Sequence, residues 1–219
     1  MKKLIIFGNS LMAEVAHYYF EKFSNYEVIC FSADRKFIKK KFLNKKKIIP
    51  TNELLNINKK DNELFVAIGY SKMNSIRENF FKFFKSKGFK IANFIHPNAN
   101  VYSSNIGVNN FIMENVCLNP YSKIGDNNII WSSSILGHHS NLGSNNFLSG
   151  NSTISGRCNI KNNCFFGVNS SVKDGVEIKD KCFIDANEYV SQNLKEKMFY
   201  NKKVNPKNIL KTKDIFDVK

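Results

Sequence analysis

The sequence predicts an α/β + β protein: a small parallel α/β domain over residues 1–90, a left-handed parallel β-helix over 91–194, and a basic tail over 195–219. Two observations carry this. Stepping by six from Ile106 gives Ile112, Leu118, Ile124, Ile130, Leu136, Leu142, Leu148, Ile154, Ile160, Phe166, Val172, Ile178, Ile184 and Val190, all apolar. A helix repeats near 3.6 residues and a strand near 2, whereas a strict period of six marks a β-helix built from hexapeptide faces. Ahead of that array, apolar strand-like runs alternate with segments of helical spacing, the pattern of a parallel α/β sheet.

The elements follow in order. Residues 2–7 read as a buried strand, Gly8-Asn9-Ser10 as a turn, and 11–23 as an amphipathic helix. Strands are expected over 26–31 and 63–68, and a second helix over 74–88 with Phe80, Phe81, Phe83 and Phe84 as its bulky face. Together these make a Rossmann-like unit. The first turn offers Gly8-Asn9-Ser10-Leu11-Met12-Ala13, which lacks the second and third glycines of a dinucleotide fingerprint and so argues against NAD. Backbone N–H groups at that helix start still suit one phosphate. The basic run between Arg35 and Lys47 reads as a solvated loop.

In the repeat, the small side chains four residues after each aliphatic position (Ser122, Ser134, Ser140, Ser152, Cys158, Cys164, Ser170, Cys182 among them) point inward with it. Three faces close a coil of eighteen residues, and at about 4.8 Å per coil the array makes roughly five coils. Asn109, Asn115, Asn127, Asn145, Asn151, Asn163, Asn169 and Asn187 recur at the corners, where asparagine tolerates left-handed backbone. Gly107, Gly125, Gly137, Gly143 and Gly167 are expected to loosen the same corners. The register slips by one between Val101 and Ile106, and the period stops after Leu194, with Pro206 interrupting any helix in the tail.

Composition narrows the function. A net charge of +15 and a pI near 9.6 favour an anionic partner, although lysine and asparagine accumulate along the whole chain. No nucleic-acid module surrounds the basic run, which argues against nucleic acid and leaves phosphate-bearing small molecules. Five cysteines without a CxxC pair read as small core residues of a reducing cytoplasm. The N-terminal apolar run is too short for a signal or a membrane span, so a cytoplasmic protein with no membrane insertion is expected.

Four histidines are present, and His17 reads as structural. His138 and His139 share one corner, in Leu136-Gly137-His138-His139-Ser140. His139 occupies a position dominated by asparagine, whereas His138 leaves a rigid coil as a candidate general base. Zinc is disfavoured, because the positions one coil away are Pro120 and Gly156 for His138, and Tyr121 and Arg157 for His139.

The motif order is distinctive: Leu4-Ile5-Ile6-Phe7-Gly8, a strand ending at Asp34, Ala67-Ile68-Gly69 followed by Arg77, Ile95-His96-Pro97, then the array with its histidine. Over the whole length it resembles the bacterial hexapeptide-repeat sugar acyltransferases, which include bacillosamine-pathway N-acetyltransferases and sialic acid O-acetyltransferases. The resemblance implies an acetyl-CoA-dependent homotrimer, with acetyl-CoA in the groove between neighbouring β-helices and no metal. His138, with His139 beside it, then supplies the catalytic corner. Phe147, Gly156, Val168 and Ala186 match cofactor-contacting positions, and Gly8, Asn9, Ser10, Asp34, Arg35 and Gly69 match the seat of a nucleotide-activated sugar. Three positions depart from the pattern. His139 stands where relatives carry Asp or Glu, Phe147 where they carry a second histidine, and Lys203-Val204-Asn205-Pro206 where they close with Gly-Val-Pro-Ala. The expected activity is N-acetylation of a nucleotide-linked amino sugar. The rivals are O-acetylation of a sugar hydroxyl and a non-catalytic scaffold or nucleotide-sugar-binding regulator.

Overall fold

The computed structural model describes residues 1–103 and 105–201. The N-terminal part comprises β1 (Lys2–Phe7), α1 (Leu11–Phe23), β2 (Tyr26–Ala33), β3 (Phe42–Leu43), β4 (Lys46–Pro50), α2 (Thr51–Leu54), β5 (Asn62–Val66), α3 (Ser75–Ser86) and β6 (Lys90–Ile91). They form one sheet in the order β3-β4-β2-β1-β5-β6, parallel except for the β3–β4 hairpin. Central β1 is covered on both faces, with Leu4, Ile5, Ile6 and Phe7 buried, as expected of a strand inside a parallel sheet.

The basic run is not a loop throughout. After a 3-10 turn at Arg35–Phe37 it makes the β3–β4 hairpin, whose Asn44 and Lys45 both have positive φ. Ile48 and Ile49 drive β4 onto β2, opposite Phe31 and Ser32. These two isoleucines pack into the core while the neighbouring lysines stay at the surface, and so short an apolar signal is easily lost among the lysines.

From Phe94 onward the chain winds through three parallel sheets of seven, six and five strands, each strand of two residues. In the regular coils each strand pairs with the one eighteen residues on: Ile112 with Ile130, Leu118 with Leu136, and Ile124 with Leu142. The first coil shows the slip: Phe94 pairs with Phe111 and Asn100 with Cys117, offsets of seventeen, whereas Asn105 pairs with Lys123. The winding also continues beyond Leu194, since Phe199–Tyr200 adds a further strand against Phe183–Ile184. Residues 202–219, including Lys203-Val204-Asn205-Pro206, lie outside the described residues.

Every corner asparagine named above has φ between 58° and 64°, and so do Tyr121, Ser133, His139, Lys181 and Lys197, with Arg157 at 55°. The corner glycines have a different purpose from the one expected: none of the five has positive φ. They are bare because the next coil passes too close. A Cβ on Gly125 would lie 2.8 Å from Gly143 backbone, and one on Gly143 2.7 Å from Lys161 O.

The two parts share a core. α1 and β1 bury Phe20, Leu4 and Ile6 against Phe94, Phe111, Ile129 and Phe147 on the seven-stranded face. Asparagines complete the joint. Asn109 Oδ1 accepts from Val66 N–H (2.8 Å) and its Nδ2 donates to Val66 O, so one side chain extends the α/β sheet toward the coil. Its amide also starts a ladder through Asn127 to Asn145 at 2.6 and 2.7 Å.

Candidate active site

Because coils stack in register, residues eighteen apart form columns, and one column runs Pro120, His138, Gly156, Asp174. His138 is exposed at the corner between Ile135–Leu136 and Asn141–Leu142. Its imidazole lies over Gly156, where a Cβ would sit 2.6 Å from His138 Nε2 and 2.9 Å from Asp174 Oδ1. Glycine is therefore what lets the ring and the carboxylate approach one another across that coil. The Asp174 carboxylate pairs with Arg157, which together with the positive field of His138 holds it below the usual carboxylate range.

His139 holds the left-handed corner conformation, with φ 58°. Its ring lies tilted against Tyr121, 4.7 Å between centroids, and its Nδ1 lies 3.1 Å from His138 Nδ1. The corner thus presents an exposed histidine whose Nδ1 is engaged and whose Nε2 lies over the bare backbone of Gly156 on the side of the Asp174 carboxylate. Such an arrangement can take a proton from a nucleophile and stabilise the resulting imidazolium.

A second site lies at the C-terminal ends of β1, β2 and β5. Gly8 has φ 134°, and a Cβ there would stand 2.5 Å from Ala67 O, so only glycine fits between the strands. Ser10 precedes α1 and leaves its hydroxyl uncommitted to capping, with Asn9 Nδ2 donating to Phe37 O at 2.9 Å. The start of α1 therefore offers backbone N–H groups toward this edge. Asp34 Oδ1 accepts from Thr51 Oγ1 at 2.6 Å at the mouth of a cleft of about 380 Å³ lined by Ile76, Asn79, Phe80 and Phe83. Arg35 opens onto a neighbouring cleft beside Lys41, Phe42 and Lys47. Gly69 contributes its carbonyl to Arg77 instead of a free edge.

The structure brings His138, His139 and Gly156 together, and separately Gly8, Asn9, Ser10, Asp34 and Arg35. Val168 and Ala186 stack one coil apart on a different corner, both exposed. Phe147 is buried on the seven-stranded face, between Trp131 and a parallel stack with Phe165, under Tyr70. The α/β part docks along the asparagine corners 127–128 and 145–146, so its cleft and His138 stand at different corners of one chain. Sequence reading missed Asp174, whose eighteen-residue spacing from Gly156 and thirty-six from His138 was available once the coil length was known. It also missed Thr51 and the clamp made by Arg77. Among the described residues no cluster of three or more His, Cys, Asp or Glu side chains could hold a metal, and no helix is long and apolar enough to cross a membrane.

Comparison with known proteins agrees with this architecture. Residues 3–84 match the PglD N-terminal domain, and residues 159–192 match the hexapeptide repeat of succinyl-transferase. The acetyltransferase domain of PglB from Neisseria gonorrhoeae superposes with a TM-score of 0.81 at 22% identity, covering 90% of this chain and 95% of that one. The same domain has been solved with acetyl coenzyme A. PerB from Caulobacter crescentus, solved with CoA and GDP-perosamine, superposes at 0.80 with 24% identity, over 90% of this chain and 93% of that one. WeeI from Acinetobacter baumannii is more distant, at 0.67 and 14% identity over 90% of this chain and 95% of that one. No curated protein sequence matches significantly.

Proposed function

We propose that this chain, which joins a cleft in a PglD-like N-terminal domain to a histidine-bearing β-helix, is an acetyl-CoA-dependent N-acetyltransferase acting on a nucleotide-linked amino sugar. The observation that carries this is His138 Nε2 standing over the bare backbone of Gly156 at an exposed corner. The sugar amine attacks the thioester carbonyl carbon, its proton passes to His138 Nε2, and the C–S bond breaks to release CoA. No acyl-enzyme forms, so no nucleophilic cysteine is required. That suits Cys158, Cys164 and Cys182, which are buried and serve as small inward side chains of the coil.

The thioester would lie at this exposed corner beside His138 and Gly156. The pantetheine arm would run along Val168 and Ala186 contributed by a neighbouring β-helix, and Phe147 would serve the joint with the α/β part. The nucleotide sugar would take the cleft of Asp34, with its pyrophosphate at the α1 start near Gly8, Asn9 and Ser10 and with Arg35 alongside. Since that cleft and His138 stand at different corners of one chain, a homotrimer would complete each site with residues from two copies. PglB and PerB support this reading through the acetyl coenzyme A, CoA and GDP-perosamine named in their complexes.

The test is free-CoA release from acetyl-CoA against UDP-, GDP- and dTDP-linked amino sugars, for wild type and His138→Ala. One donor should turn over, and the variant should lose about 10²–10⁴-fold in kcat, the usual contribution of a general base. Turnover by His138→Ala at the wild-type rate would remove His138 from the mechanism.

A further inference from the structure

We propose that His139 is the positioning residue of His138: its Nδ1 accepts the Nδ1–H of His138 and thereby holds the catalytic imidazole in the tautomer whose Nε2 carries a lone pair. The inference rests on the proposed function and concerns how one side chain is made competent for it.

The two Nδ1 atoms lie 3.1 Å apart. Two nitrogens at that distance share one hydrogen, so in the neutral pair one ring donates and the other accepts. If His138 donates, its Nε2 is unprotonated and faces Gly156 as a base. If His139 donates, His138 carries its proton on Nε2 and can abstract nothing. Free imidazole favours the Nε2–H form, so a competent His138 needs an acceptor at Nδ1, the task a carboxylate performs beside other catalytic histidines. No carboxylate follows His138 here, and its neighbour in the chain is itself a histidine.

A carboxylate on the Nε2 side of His138 would by itself favour the Nε2–H tautomer, so the Nδ1 contact with His139 is what has to offset it. Tyr121 lies against the far side of the pair, in tilted contact with the His139 ring. Asp174, paired with Arg157, lies across Gly156 on the Nε2 side of His138, where positive charge develops once the proton is taken. One added proton silences the pair whichever ring receives it, because the monocation carries hydrogen on both Nε2 atoms and shares the third between the Nδ1 atoms.

The fold supplies safe substitutions. Asparagine fills this corner position in eight other places and lysine in two, Lys181 and Lys197, all with the same left-handed backbone. A merely structural His139 would accept either. Asn can accept through Oδ1, whereas Lys can only donate. In the full-length protein, ¹⁵N NMR of the His138 ring should show an unprotonated Nε2 in wild type and His139→Asn, and a protonated one in His139→Lys. kcat for acetyl transfer should stay within about threefold in His139→Asn and fall at least about tenfold in His139→Lys, part of the contribution a base makes. His139→Glu, which can only accept, should keep the wild-type tautomer. Equal activity of the Asn and Lys variants, or a protonated His138 Nε2 in wild type, would overturn the proposal. The expected tautomers without acetyl transfer to any sugar would uphold the dyad and overturn the proposed function.

Discussion

Arg77 should be the costliest side chain to remove from this protein outside the corner chemistry. It is fully buried, yet its partners are backbone carbonyls and one amide, with no carboxylate among its hydrogen bonds. Nη1 donates to Gly69 O (2.8 Å) and Asn74 Oδ1 (3.0 Å), Nη2 to Asn146 O and Asn145 O (3.1 and 3.2 Å), and Nε to Asn127 O (3.3 Å). Burial pulls its pKa down to about 9, with Glu78 acting in the opposite direction, so the guanidinium stays charged at neutral pH. Two effects compete on replacement by methionine. Relieving a buried charge favours the variant, and such swaps are sometimes neutral or stabilising when both partners of an ion pair leave together. Here the acceptors stay behind. Among the described residues the carbonyls of Gly69, Asn127 and Asn145 accept no other backbone hydrogen bond, and each stranded acceptor costs about 1–3 kcal/mol. Three of them outweigh the relief, and a net loss of about 4 kcal/mol follows, or roughly 10 °C in Tm for a chain of this size. Trp131 is the single tryptophan and packs at the shared core, so its fluorescence in a urea titration reports the joint directly. An Arg77→Met protein within about 1 kcal/mol of wild type would refute the reasoning, because it would mean those carbonyls find water or one another at little cost.

Two other perturbations have definite signs. Gly156→Ala would place a methyl 2.6 Å from His138 Nε2 and should lower kcat by at least about tenfold while leaving Tm nearly unchanged; wild-type kcat in a folded variant would show that the catalytic ring does not use this space. Glu63 is pushed up by burial, but hydrogen bonds from Lys90 and Tyr26 outweigh that and hold its carboxyl below the ordinary value. A depressed carboxylate stabilises the fold above its unfolded pKa of about 4.3, and that contribution is lost as pH falls through the lower folded value. Urea titrations from pH 6 down to pH 3 should therefore show a steeper loss for wild type than for Glu63→Gln, and parallel curves would exclude the linkage.

The β-helix is legible in the order of residues alone. A hexapeptide array is a local code: each aliphatic residue, small residue and corner asparagine specifies its own turn and finds a near-identical environment one coil away. Its repetition makes the fold readable with no knowledge of distant contacts, and the apolar strands and helices around β1 are legible for the same reason. The candidate His138 and the cleft at Gly8, Asn9, Ser10 and Asp34 came from motif order. Whatever depends on two distant segments meeting emerged only with the folded chain. Folding turned the corner glycines from hinges into sites of close coil approach, since the clash comes from a neighbour eighteen residues away. It made Arg77 a buried clamp, because the acceptors at Asn127, Asn145 and Asn146 lie fifty or more residues along the chain. It drew β4 out of a lysine-rich run through two isoleucines that only the face of β2 could select. And it set His139 against His138 and Asp174 across Gly156, a geometry fixed by backbone curvature and coil stacking, which residue identities alone do not encode.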